Sequence, residues 1–423
     1  MGITDPDTYV RGVPYDELAR LRRETPVVRV DDFWAVLRHA DVRTVLRDPA
    51  LFSSQLGGTQ IRDPATAADL AYVRRMMLNM DPPEHGRLRG LLTKAFTARA
   101  IAKLTEQIET SARELVSAVA DQGECDFAKV AADLPLRTLA AVFGVPEQDR
   151  RLMYDWSNRV IGYQDAEYAV SATVSPDEVT DLARAALAVR PSPGPDGRMP
   201  DPRTRAGMPD LYAYANALGE YKREHPGDDV MSTLMGHVGD DGGRVSLAEF
   251  ENLFWLFSVA GNETLRNGLP GGMLALLSHP EQYRRLLADR SLLPSAVEEM
   301  LRWWCPVMNF RRTATSGVSL SGVDIRAGDK VVVWFSSANR DPSVFEEPDT
   351  FDITRTPNDH LTFGHGPHFC LGAQLARVQL RAMFTAVLDL LGEVSLAGEP
   401  VRLRSTFQNG LKSLPIRWVT AGK

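Results

Sequence analysis

The chain has 423 residues, and 48 lysines and arginines against 55 aspartates and glutamates give a formal charge of −7, too acidic for a protein that grips nucleic acid through its phosphates. Hydrophobic residues make up 44% and charged residues 24%, which excludes a disordered chain or a fibrous repeat. At about 150 residues per domain the length fits one large domain or two ordinary ones, and either buries a sizeable core.

From Met1 to Thr25 there is no apolar core of the kind a signal peptide needs. The most apolar run, Leu253 to Ala260, falls far short of the about 20 residues that span a bilayer. A cytoplasmic protein that touches no membrane is therefore expected. Val27 to Val30, the pair Asp31-Asp32 and Phe33 to Leu37 predict a β-hairpin. Residues 54–80 read as an irregular polar loop, after which Pro82, Pro83 and Glu84 suit the first turn of a helix. Amphipathic helix follows from Thr97 to about Gly123, with shorter helical stretches to Gly162. Between Pro191 and Pro209, six prolines and three glycines in 19 residues predict a loop, read as an insertion between two surface helices.

Ser246 and Glu249 form an S-x-x-E box at the start of a long apolar helix. Pro270, with Gly268, Gly271 and Gly272, is expected to bend or interrupt it. A second β-rich zone covers Val318 to Phe335, turning at Gly322 and at Ala327-Gly328-Asp329, and a final helix begins at about Leu371. Many helices with small separate sheets predict one mainly-α domain over residues 1–423 rather than a layered α/β fold.

Chemistry concentrates in Phe363-Gly-His-Gly-Pro-His-Phe-Cys370-Leu-Gly372. Glycines free the backbone, and a helix mouth favours a thiolate by lowering its pKa, which suits a metal ligand or a nucleophile. An isolated cysteine is more often a small buried hydrophobe. The other two, Cys125 and Cys305, read as packing residues. Three cysteines with no C-x-x-C make neither a disulfide framework nor a thiolate zinc cage, and a reducing compartment is expected.

The Cys370 run resembles the haem-binding loop of the cytochromes P-450, F-G-x-G-x-H-x-C-x-G. Phe363, Gly364, Gly366, His368, Cys370 and Gly372 meet every fixed position. The resemblance implies the fold of that family, mainly α with small sheets, and haem b between the long helix and the helix after Cys370. It also makes Cys370 the axial thiolate of the haem iron, a ligand that favours O–O cleavage.

Further runs are similar to the family's other motifs. Glu299-Met-Leu-Arg302 is an i,i+3 pair that says little alone. In this order before Cys370 it resembles the E-x-x-R ion pair that stands behind the haem loop. Members often complete it with the arginine of a P-x-R-F run. Here that run reads Pro348-Asp-Thr-Phe351, and Arg355 is the substitute. Ala260-Gly-Asn-Glu263-Thr264 resembles A/G-G-x-D/E-T, which crosses the distal haem face. Glu263 and Thr264 would be the acid–alcohol pair that passes protons toward the oxygen being split. The bland alternative is a threonine bonded back to its own helix. Leu265, where relatives often carry a second threonine, is expected to alter pocket shape. His85 and Arg89 fit H-x-x-x-R, and with Arg312 and His368 they would clamp the haem carboxylates.

The resemblance extends over nearly the whole chain. It implies a monooxygenase that uses O₂ to hydroxylate or epoxidise a hydrophobic molecule, with wording closest to members acting on steroids, terpenes or branched lipids. The pocket is expected from the 54–80 loop, Val259 and Ala260, Val307 and Met308 through Phe310, and Phe407, with the Pro-rich insertion as a lid or a plain surface loop. No flavin, nicotinamide or other catalytic motif occurs, so electrons would come from a ferredoxin and its reductase, docking near Arg87, Lys94 and Arg377. A monomer is expected. The rivals are an oxidase that couples rings without inserting oxygen, and a haem-binding or sensing protein with no turnover. The intact acid–alcohol motif disfavours the second.

Overall fold

The computed structural model describes residues 2–161, 174–195, 199–202, 204–238 and 242–419. The first hairpin forms as its pattern predicts. Val27–Val30 and Phe33–Val36 pair antiparallel from Val30↔Phe33 to Val27↔Val36, and Asp31 takes the positive φ of 50° that so short a turn demands. Phe33–Val36 then lies parallel to Lys330–Trp334, which pairs antiparallel with Asn309–Ala314. Phe52–Ser53 closes this five-stranded sheet. Successive strand residues point to opposite faces, so Arg311 and Arg312 leave the sheet on opposite sides. Three smaller sheets complete the β structure of the described residues, one joining Pro415–Trp418 to both Glu124–Asp126 and Val394–Leu396.

Helices form the bulk. The longest, Leu247–Ser278, starts at the expected capping box, with Ser246 N–H donating to Glu249 at 2.8 Å and Glu249 N–H returning to Ser246 Oγ at 3.2 Å. It packs against Phe127–Phe143, Pro209–Glu224 and Leu293–Trp304. Of the bend or interruption expected at Pro270, the interruption does not occur, because the helix runs through it. The neighbouring glycines serve packing: a Cβ on Gly271 would overlap the Trp304 indole, and one on Gly272 would crowd Met300 and Phe384. Close packing there outweighs the one hydrogen bond that proline removes.

Two other boundaries move. The 54–80 loop contains a helix, Ala67–Val73, opened by a capping box between Thr66 and Asp69. The helix carrying His85 and Arg89 is Glu84–Ala95, so Pro82 and Pro83 precede it rather than fill its first turn. The described part of the Pro-rich segment lies between Asp181–Leu187 and Pro209–Glu224, the predicted insertion between helices. Its residues 196–198 and 203, and Gly162 at the end of the earlier helical stretch, lie outside the described residues. No described helix is long and apolar enough to cross a membrane.

Candidate active site

The Cys370 loop is held by its own backbone. Cys370 N–H donates to Phe363 O at 2.9 Å, and Gly364 N–H to Leu361 O at 2.8 Å. Gly364 and Gly366 adopt φ of 73° and 72°. Gly366 also lies against the main chain of Leu46 and Arg47, where a Cβ has no room, so that position admits only glycine. The following helix is Ala373–Leu390, which leaves Cys370 just ahead of its first turn. The expected low thiol pKa is not what the protein alone provides. Burial pushes Cys370 up, and the opposing bond from the Gly372 amide and the charges of Arg89 and Arg377 do not overcome it. A metal cation bound to the sulfur would supply the missing stabilisation of the thiolate. Cys125 and Cys305 are pushed up to about 12 by burial, in keeping with inert packing residues.

Cys370 is nonetheless exposed, as is Ala260 in the middle of the otherwise buried long helix. Thr264 is partly exposed on the same helical line as Ala260, four residues on.

Beside the loop, three elements bring four basic groups together. His85 and Arg89 come from Glu84–Ala95, Arg312 from the sheet and His368 from the Cys370 loop. The His85 and His368 rings lie 4.1 Å apart. Arg312 is 3% exposed; burial lowers it to about 10, with Asp81 the carboxylate that offsets this. Burial, then the charges of Arg312, His85 and Arg89, bring His368 down to about 2. The cluster thus holds two guanidiniums and two neutral imidazoles against Asp81, which itself accepts bonds from Ser53 and Ser54. Such a convergence calls for an anion. The two carboxylates of the haem implied by the sequence fit it, and the thiol of Cys370 fits its iron.

Behind the loop, Glu299 and Arg302 make a bidentate pair at 2.7 and 2.8 Å, both fully buried. Arg355 donates Nε–H to Glu299 at 3.2 Å, filling the place expected of it. Two further donors to Glu299 carry no sequence signal, the Asp352 amide at 3.0 Å and Asn358 Nδ2 at 3.1 Å. Also missed was Glu298, which takes Arg377 in a bidentate pair at 2.7 Å and His360 at 3.2 Å, while the Arg377 guanidinium covers the Phe363 ring at 4.6 Å. Of the cations expected at a docking face, Arg377 is tied up by Glu298 and Arg87 by Glu249.

The two members of the acid–alcohol pair bond on different sides of the long helix. Thr264 Oγ1 donates to Ala260 O at 2.8 Å. Glu263 is buried on another side of the helix, where its Oε1 accepts from Ser157 at 2.8 Å and from Arg266 at 3.1 Å. Neighbouring helical positions stand about 100° apart, which separates the two side chains. Leu265 packs into the core. Of the expected pocket residues, Val259, Ala260, Val307 and Phe407 keep some exposure, with the Phe407 ring 5.6 Å from that of Phe310. Met308 is fully buried and is removed from the wall.

Comparison with known proteins identifies the family. The family model for cytochrome P-450 matches residues 220–392. The steroid C26-monooxygenase of Rhodococcus jostii is 35% identical over 433 residues, spanning 99% of this chain and 84% of that protein. The methyl-branched lipid omega-hydroxylase of Mycobacterium bovis is 36% identical over 417 residues, spanning 95% and 90%. Among solved structures, a Mycobacterium marinum cytochrome P-450 in complex with pseudoionone gives a TM-score of 0.81 at 34% identity, covering 96% of this chain and 94% of that one.

Proposed function

The chain belongs to the cytochrome P-450 family, and from that premise we propose that its substrate is a bulky apolar molecule of the steroid or branched-lipid type. The enzyme is a haem-thiolate monooxygenase. Bound haem b supplies the chemistry that activates O₂, and one oxygen atom enters a hydrophobic substrate. Two named relatives support the substrate class, a steroid C26-monooxygenase and a methyl-branched lipid omega-hydroxylase.

In this reading Cys370 holds the iron, while Arg312, Arg89, His85 and His368 hold the haem carboxylates. Phe363 and Gly364 keep the loop in shape. Thr264 holds a proton at its hydroxyl on the open face of the long helix, and Glu263 is a reserve acid that reaches this face only after leaving Arg266 and Ser157. Val259, Ala260, Val307 and Phe407 exclude water from the reacting carbon. Electrons come from a ferredoxin and its reductase, since the sequence carries no dinucleotide or flavin motif, and the enzyme works as a monomer. The convergence of four basic side chains next to the Cys370 loop carries the reading.

The test is the carbon monoxide difference spectrum of the dithionite-reduced protein. A strongly red-shifted Soret band is expected, replaced by the band of histidine-ligated haem in Cys370→His. A histidine-type band in the unmutated protein would sink the thiolate assignment. Turnover of steroid and methyl-branched lipid panels under ¹⁸O₂ then reads the substrate class, with one labelled atom expected in the product.

A further inference from the structure

Behind the Cys370 loop one cation carries a carboxylate of its own. Arg377 lies in the helix that follows the cysteine, Ala373–Leu390. Glu298 lies in Leu293–Trp304, about 100° around that helix from its neighbour Glu299, and so serves a separate network. Arg377 Nε–H donates to one carboxylate oxygen of Glu298 and Nη2–H to the other, each at 2.7 Å. This fork holds the guanidinium in one plane, and its carbon sits 4.6 Å from the centre of the Phe363 ring. Phe363 in turn accepts the Cys370 N–H at its carbonyl oxygen, at 2.9 Å. Two contacts thus connect the ion pair to the backbone of the proposed iron ligand.

A second donor keeps the carboxylate in place. Thr362 N–H donates to His360 Nδ1 at 3.3 Å, so the His360 proton is on Nε2, which donates to Glu298 at 3.2 Å. Two cations reach the Cys370 sulfur with their charge, Arg89 and Arg377. Arg89 is assigned above to the haem carboxylates, and Arg377 is answered by Glu298. Reduction of thiolate-ligated haem from ferric to ferrous takes one electron, here from the ferredoxin proposed above, and breaks no bond. The site gains one negative charge, which a nearby cation favours and a nearby anion opposes. A matched pair does neither.

Resting on the reading of Cys370 as the thiolate of the haem iron, we propose that Glu298 sets the reduction potential of the haem by cancelling the charge of Arg377 behind the loop. Glu298 and Arg377 are positioning residues that act through the field at the sulfur and touch no reacting atom. Removing the carboxylate leaves a cation that raises the potential. Removing the guanidinium leaves an anion that lowers it. A purely structural brace would move both variants the same way.

The experiment is a spectroelectrochemical titration of the haem-loaded enzyme, substrate-free, at pH 7. It compares the unmutated protein with Glu298→Gln, Arg377→Gln, the double variant and Arg377→Lys. At a fixed applied potential Glu298→Gln should raise the ferrous-to-ferric ratio about fivefold, or about 40 mV at 59 mV per tenfold for one electron. Arg377→Gln should lower it by a similar factor, and the double variant should return close to the parent. Arg377 and Glu298 keep 25% and 27% of their side chains exposed, so salt at about 1 M should shrink the rise in Glu298→Gln. Arg377→Lys keeps the charge and should stay near the parent; it decides in place of Arg377→Gln if that variant loads no haem. Potentials that do not move, shifts of one sign in both single variants, or an Arg377→Lys as displaced as Glu298→Gln overturn the proposal. If the parent gives the red-shifted carbon monoxide band, such a failure sinks the tuning alone. A parent without that band removes the thiolate reading, and the tuning with it.

Discussion

Two of the chain's E-x-x-R pairs are buried among the described residues, and the structure uses them in opposite ways. Glu299 and Arg302 lie behind the Cys370 loop, and Glu263 and Arg266 on the long helix. Spacing and burial are alike, since all four residues are buried. Their saturation differs. The Glu299 carboxylate takes bonds from Arg302, Arg355, Asn358 and the Asp352 amide. Arg302 spends its remaining donors on the carbonyls of Asn339, Pro348 and Thr350. At the other pair, Ser157 and Arg266 both donate to the same oxygen of Glu263, and Arg266 is shared with Tyr154 and Asn158. A saturated buried network has one arrangement, whereas a carboxylate bonded through one oxygen can be released at modest cost. The first pins three segments behind the Cys370 loop. The second stores an acid one helical step from Thr264.

The largest effect should come from breaking the saturated pair. Arg302→Ala leaves Glu299 buried opposite too few cations, at a cost of about 3–5 kcal/mol, enough to remove most of the stability of an ordinary protein. Little soluble haem-loaded protein is expected, and a urea midpoint near that of the parent would break the comparison. Arg266→Ala should cost about 1–3 kcal/mol and keep haem. If its urea midpoint falls as far as that of Arg302→Ala, the two networks are equivalent and the contrast is lost.

Thr264→Ala sharpens the functional half of the comparison. The hydroxyl bonds only locally, to Ala260 O, so its loss should move stability by less than about 1 kcal/mol and leave the carbon monoxide spectrum unchanged. Coupling should suffer, with a larger share of the electrons released as free hydrogen peroxide. Unaltered coupling, measured as peroxide formed per reducing equivalent, would take Thr264 out of proton transfer.

How much of this was legible follows from the range of each interaction. The hairpin at Asp31, the Ser246–Glu249 box and the Cys370 loop are local, and each was readable because its partners lie within a few residues. Thr66 and Asp69 were equally local, but the small and polar residues around them gave no apolar period to mark a helix. Glu299 and Arg302 were found through the family pattern, and Arg355 as the substitute for the arginine that the Pro348–Phe351 run lacks. The fate of Glu263 was hidden because Ser157, its partner, comes from a helix 106 positions earlier. Glu298 was hidden for the same reason, since Arg377 is 79 residues away. The ion pair of Asp63 with Arg311 spans 248 residues, a distance that no periodicity reaches.

Glu298 supplies the mildest test, because it lies between the two extremes. It joins the helix of Arg302 to the helix after Cys370, but it keeps 27% of its side chain exposed. Burial works against its charge, and the bonds and charges of Arg377 and His360 outweigh this and bring it from the usual 4.5 down to about 2. Below 4.5 the unfolded chain takes up a proton that the folded one refuses, so stability falls with pH in that range. The contribution is complete above about pH 4.5 and drains away as pH approaches 2. Glu298→Gln should therefore cost on the order of 1–2 kcal/mol at pH 7 after allowing for solvent screening, with the gap to the parent shrinking between pH 4.5 and 3. Urea midpoints of both proteins at pH 7, 5, 4 and 3 read this directly. A gap that stays constant with pH would mean that Glu298 acts through packing rather than charge, placing it with the half-satisfied network of the long helix and not with the saturated one beside it.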